Sequence, residues 1–272
     1  SQVIKGEELN VLIGSMPFRS DEGSDLVKLN ILKLLNEKYD ITESDFLSAE
    51  LELVPASRVS DIGFDRSLIG GYGHDDRVCA YPALMAALAC ANPGFTTVPV
   101  LTDKEEIGSV GNTGLSSAYL QFFIEDLAKT QGLEGRDVLR ASECLSADVN
   151  AGVDPTFQSV HDKLNASFIN RGIVVTKYTG ARGKSGSSDA AAEVMGYVRR
   201  IFAKHDVIWQ TGELGKVDQG GGGTVACYMA NRNIETVDAG VPVLSMHAPM
   251  EIVSKLDTYM TFKGMKVFYE EN

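Results

Sequence analysis

RGIVVTKY (residues 171–178), SDAAAEVMGYVRRIFAK (188–204) and VIWQTG (207–212) follow one another in the chain. The first is a β-branched run. The second repeats its apolar residues at helical spacing, with Asp189 near its start. The third is a short apolar run closed by glycine. Strand, helix and strand in succession predict a sheet covered by helices.

The alternation continues outward. VCAYPALMAALACA (78–91) predicts a buried helix with Pro82 in its first turn or so. FTTVPVLTD (95–103) is rich in β-formers, LSSAYLQFFIEDLAK (115–129) is helical, and ASECLSADV (141–149) reads as a strand. ETVDAGVPVL (235–244) and PMEIVSKLDTYMTFK (249–263) close the series. The predicted class is α/β, a three-layer arrangement with helices on both faces of the sheet. Upstream, SDLVKLNILKLLNEKY (24–39) predicts an amphipathic helix capped by Ser24 or Asp25, and SAELELVPA (48–56) a strand with one wet face. The composition becomes more apolar around residues 60–70. This predicts a smaller appended unit over 1–60 and the main domain over 61–272.

The 272 residues carry a formal charge of −12 and are 44% hydrophobic. That acidity argues against nucleic acid or an anionic membrane surface as the partner. No run reaches the roughly 18–20 apolar residues that span a bilayer, and SQVIKGEELN lacks a signal-peptide pattern. Cys79, Cys90, Cys144 and Cys227 are far apart and form no CxxC pair. They read as buried free thiols of a cytoplasmic protein.

Acids and one histidine sit at four predicted strand ends or helix starts. Asp75 and Asp76 precede the helix at 78–91, Glu105 and Glu106 follow FTTVPVLTD, Asp148 ends ASECLSAD, and His247 follows VPVLSM. In α/β sheets, loops at strand ends gather the reactive groups. Oxygen and nitrogen donors from four such ends suit Zn²⁺, Mn²⁺ or Co²⁺ better than a nucleophilic triad. An isolated acidic pair is usually a solvated turn, and an isolated histidine is usually structural. Carboxylates on apolar flanks, however, need a compensating cation. One glutamate of LTDKEEIGSVG (101–111) can then bind the ion while its neighbour takes a proton from the water beside it.

GGYGHDDRVCAYPALMAAL, LTDKEEIGSVGNTG, CLSADVNAGVDP and VLSMHAPMEIV, in this order, resemble the motifs of the M18 metallo-aminopeptidases. The resemblance spans roughly residues 45–265. SMHAPME also resembles the related M42 family. The resemblance implies a zinc-peptidase-like fold with part of an appended dimerisation domain. It implies two divalent ions, Zn²⁺ first with Co²⁺ or Mn²⁺ as alternatives, and removal of N-terminal residues from peptides. Asp75 matches the bridging ligand, and Glu105 the general base. Glu106 and His247 match ligands of one ion, and Asp148 a ligand of the other. Asp76 supports the site from behind. The family also implies a homo-oligomer, built from dimers and extending to a dodecamer. An M42-type glutamyl aminopeptidase and a non-catalytic assembly subunit are the competing readings.

The chain departs from the family in one respect. The family's H-x-D motif has no counterpart, because none of His74, His161, His205 and His247 lies upstream of residue 74. The chain therefore reads as the C-terminal portion of such an enzyme, with the second ion short of a ligand unless His74 or another chain supplies one.

Three stretches remain. DQGGGGTVA (218–226) lacks the Gly-Lys-Ser/Thr ending of a phosphate loop. The resemblance puts it near the substrate, with Gly221 and Gly222 letting backbone approach a peptide. KYTGARGKSGSSDA (177–190) is either a solvated loop or a place where Lys177, Arg182 or Lys184 binds a substrate carboxylate or a neighbouring subunit. Lys177 is the foremost of the three. His161 and His205 read as structural, and no G-x-S-x-G elbow is present.

Overall fold

The fold is described from a computed structural model, for residues 5–19, 22–182, 185–216 and 218–271. The chain divides into two compact units between Val54 and Pro55.

In the first unit, α1 (Leu26–Tyr39) follows its apolar periodicity, with Asp25 at the N-cap position and left-handed Asp40 at its end. The Asn30 side-chain amide donates to the Met16 carbonyl at 3.1 Å and ties the preceding segment to the helix. Thr42 and Asp45 form a reciprocal capping box at the next turn. No residue of α1 is buried. The strand expected at 48–56 does not form. Alternation makes a strand only where a neighbour supplies ladder bonds, and Leu51 and Leu53 stand 69% and 67% exposed instead.

The second unit is a mixed α/β body. Its first half contains β1 (Ser60–Ile62), β2 (Leu68–Gly71), α2 (His74–Ala89), α3 (Tyr119–Thr130), α4 (Gly135–Arg140), β3 (Glu143–Ser146) and β4 (Asn150–Ala151). Then come β5 (Ile173–Thr176), β6 (Tyr178–Ala181), β7 (Ser185–Asp189), α5 (Ala192–Lys204), β8 (Trp209–Thr211) and β9 (Gly221–Gly222). The last elements are α6 (Ala226–Ala230), β10 (Glu235–Gly240), β11 (Pro242–Leu244), β12 (Glu251–Ser254) and α7 (Lys255–Glu270).

Two sheets carry the core, ordered β3-β10-β5-β8 and β1-β2-β12-β11-β4. β3 and β10 run parallel in the first sheet, and their continuations β4 and β11 run parallel in the second. The two strands thus cross from one sheet to the other, and Asp148 lies at the crossing. Alternate residues of β5 and β10, namely Ile173, Val175, Val237 and Ala239, face α5 and α7 through Val194, Val198, Phe202 and Phe268. The opposite parity carries Thr176 and Asp238, over which Thr224 and the start of α6 lie. α2 packs through Val78 and Cys79 on Val241, Val243 and Val253.

Three local expectations are corrected. Pro82 falls inside α2, which starts at His74 rather than near 78, so the proline interrupts one internal bond of an established helix. FTTVPVLTD forms no strand, because no described neighbour pairs with it. Asp189 ends β7, in register with Tyr178, and α5 begins only at Ala192. The hairpin's ladder wins over helical spacing there.

Candidate metal centre

Asp75 precedes the regular part of α2, with an extended ψ of 110° that aims its carboxylate beyond the helix end. Glu105 and Glu106 sit in a single 3₁₀ turn between two left-handed residues, Lys104 and Gly108. Ser245 and His247 are also left-handed, so the chain turns sharply after β11 and presents the imidazole back toward α2.

The geometry brings the predicted donors together. His247 Nε2 lies 3.1 Å from Asp75 Oδ2 and 3.3 Å from Glu106 Oε2. Asp75, Glu106 and His247 each offer an atom within 4.8 Å of the others, and so do Asp75, Asp76 and Asp148. Asp76, Glu105 and Glu106 form a third such group. Asp75 is common to the first two sets, the relation a bridging ligand requires. Asp76 enters two of the three groups.

The electrostatics of this cluster call for a cation. Burial, then the charges of Glu106, Asp148 and Asp76, push the Asp75 carboxyl up to about 9. Burial, with Glu105, Asp238 and Asp76, pushes Asp148 up to about 8, against a hydrogen bond from the Val149 N–H. Burial, Asp76 and Glu106 push Glu105 up to about 7, which His247 partly offsets. Crowded carboxylates cannot all ionise at neutral pH without a counter-charge. Five acids and one imidazole offer the oxygen and nitrogen donors that divalent zinc-like ions accept. The residues fit such a group.

Two supports escaped the sequence reading. Glu251, 2% exposed at the head of β12, accepts the His247 N–H at 2.8 Å on one oxygen and the Asp75 N–H at 3.1 Å on the other. It was present in the quoted VLSMHAPMEIV, but an acid inside a strand gives no signal of what its carboxylate reaches. Gly240 is the second. A Cβ there would lie 1.8 Å from the Asp148 carbonyl oxygen, so a bare backbone is what lets Asp148 sit at the crossing of the two sheets.

Other predicted residues lie apart from the donor groups. Lys177 donates to Asp189 and to the Ala190 carbonyl. Arg182 bonds through its backbone N–H to Gly220 O, and Lys184 lies outside the described residues. Gly221 and Gly222 form edge strand β9 against β6, where a Cβ on Gly221 would meet Gly180 O at 2.2 Å. His74 joins none of the donor groups. His161 is buried, and His205 pairs with Glu271 at 2.9 Å.

Carboxylates and an imidazole gathered from loops and a helix start of an α/β body, with a protonatable glutamate beside them, are the arrangement of metal-dependent hydrolases. The family can be stated more narrowly. Residues 4–269 match the profile described as "Aminopeptidase I zinc metalloprotease (M18)", and the chain belongs to that family. It is 50% identical over 98% of its length to a probable M18 family aminopeptidase 1 of Clostridium acetobutylicum, spanning 58% of that protein. A relative from Thermotoga maritima with the same description is 45% identical over the whole chain, which spans 61% of it. The crystal structure of the Clostridium aminopeptidase I superposes with a TM-score of 0.92, over 99% of this chain and 59% of that one. The Thermotoga structure gives 0.91, over 95% and 58%. A yeast structure described as a dodecamer, 20% identical, shares the fold. The chain thus spans less than two thirds of the relatives it matches.

Proposed function

We propose that this chain carries the catalytic site of an aminopeptidase that removes N-terminal residues from peptides with two divalent ions, zinc foremost. The observation that carries the reading is that two donor sets abut and share Asp75. Asp75, Glu106 and His247 would hold one ion, and Asp75 with Asp148 the other. When bound, such ions polarise the scissile carbonyl and make a nearby water acidic.

Glu105 is the base. Its carboxylate belongs to the group formed with Asp76 and Glu106, beside the proposed ligands, where it can take a proton from water and return it to the departing amine. Glu251 keeps the Asp75 and His247 loops in place. Edge strand β9, with Gly221 and Gly222, offers bare backbone to a peptide, and Lys177 offers a cation should Asp189 yield it to a substrate carboxylate.

Residues 1–60 form part of an appended, dimerisation-type domain, and the working protein is a homo-oligomer. Support comes from the apolar side chains that α1 leaves uncovered, Leu29 and Leu34 among them. Four free cysteines suit a reducing, cytoplasmic setting. Family membership favours the M18 reading over the M42 one.

The test is metal content per chain after chelation and reloading, with Glu105→Gln assayed on aminoacyl substrates. Two ions and activity abolished by the substitution support the reading. Fewer than two bound ions overturns the two-ion reading, and two bound ions without hydrolysis overturns the catalytic one and favours an assembly subunit.

A further inference from the structure

The loop that carries Glu105 and Glu106 closes on itself. The Asp103 N–H donates to Thr113 O at 3.2 Å, Ser109 N–H to Lys104 O at 2.7 Å, and Ser116 N–H to Ser109 O at 3.1 Å. The Thr113 hydroxyl returns a bond to the Asp103 carboxylate at 3.2 Å. Such a closed loop needs anchors to hold its acids in register with the rest of the site.

One short segment supplies them. The Tyr228 hydroxyl, on α6, donates to Gly108 O at 3.1 Å, just past the 3₁₀ turn of the two glutamates. Arg232, four residues on, donates to Leu115 O at 2.8 Å and to Ser117 O on the loop's return leg. The same guanidinium also bonds Tyr228 O. One planar fork therefore ties three carbonyls from two segments. Among the described residues no carboxylate pairs with Arg232, and burial alone lowers its basicity. A half-buried arginine aimed only at neutral carbonyls is a shape-holding device, because its five donors lie in a fixed plane.

We infer that Tyr228 and Arg232 are positioning residues for Glu105. They fix the far side of its loop while Glu106 engages His247 on the near side. What Glu105 does with that position rests on the aminopeptidase reading above; the clamp itself does not. The segment follows β9 directly, so the bare strand proposed to meet the peptide and the clamp that holds the base belong to one continuous stretch. A shift of that stretch would move the base.

The experiment compares wild type with Arg232→Ala, Arg232→Lys and Tyr228→Phe in the 272-residue chain. Amide hydrogen exchange is read at Ser109, Ser116 and Ser117, alongside kcat and KM after zinc loading. Losing the charged donor speeds exchange at these amides by roughly tenfold or more, the usual effect of removing such a bond, and lowers kcat while KM stays near wild type. Lysine, a single point of charge, restores thermal stability without restoring kcat. Unchanged exchange in Arg232→Ala, or kcat fully restored by lysine, overturns the inference. If Arg232→Ala fails to fold, Tyr228→Phe decides: faster exchange at Ser109 supports the clamp, and wild-type exchange there overturns it. A wild-type chain that neither binds zinc nor hydrolyses substrate defeats the aminopeptidase reading, and the exchange data still decide the clamp.

Discussion

The buried carboxylate of Glu251 accepts the backbone N–H of Asp75, 176 residues away in the chain, at 3.1 Å. Its other oxygen takes the His247 N–H at 2.8 Å. The start of α2 and the turn after β11 are thereby fixed to one side chain, and the two loops approach because that carboxylate satisfies both donors.

Replacing it tests this. Glu251→Gln keeps the shape but removes the charge that both N–H groups face. Supports of this kind typically change metal affinity about 10–100-fold when altered. Zinc titration of Glu251→Gln should give a weakening of that order, with a lower Tm. Unchanged affinity would mean that the loops hold themselves.

Glu105→Gln should retain zinc content while losing activity by about 10²–10⁴-fold, the usual contribution of a positioned base. Metal analysis and steady-state kinetics on one preparation check both halves. Loss of zinc together with activity would make Glu105 a ligand instead.

Metal-free protein should lose stability as pH rises. Asp75, Asp148 and Glu105 are raised to about 9, 8 and 7, whereas unfolded carboxyls ionise near 4. Between those limits the folded state binds more protons than the unfolded one, so stability present at low pH is lost progressively on going up to about pH 9. Zinc supplies the counter-charge and should flatten the trend. Thermal melts at pH 5 and 9, with chelator or with zinc, measure it; a metal-free Tm that rises with pH would contradict the crowding of these acids.

Gly240→Ala should be severe. The added methyl would meet the Asp148 carbonyl oxygen at 1.8 Å, and forcing atoms into a packed interior typically costs about 1–3 kcal/mol or more. Denaturant melts should show at least that loss, and zinc binding should weaken because Asp148 is displaced.

The α/β class was legible because strand and helix periods differ, as RGIVVTKY and the helix after it illustrate. The candidate donors drew notice because acids and a histidine stand where apolar runs end or a buried helix begins, and the fold brings them within reach of one another. What stayed hidden depends on partners distant in sequence. FTTVPVLTD carries strand composition, yet a strand also needs a neighbour, and composition does not report one. Asp189 looked like a helix start until β6 paired with it. Glu251 looked like one more acid in an apolar stretch, since nothing local signals that two remote N–H groups converge on it.

Asp75 precedes Glu251 by 176 residues, so no polypeptide that stops short of residue 251 holds both partners of this bond. During synthesis the N-terminal parts emerge first, at about 5–20 residues per second. β2 and α2 therefore emerge, with Asp75 and Asp76, well before β11 and β12 bring His247 and Glu251. The donor cluster is consequently completed only once residue 251 has emerged, and until then the Asp75 N–H lacks the carboxylate it meets in the finished fold.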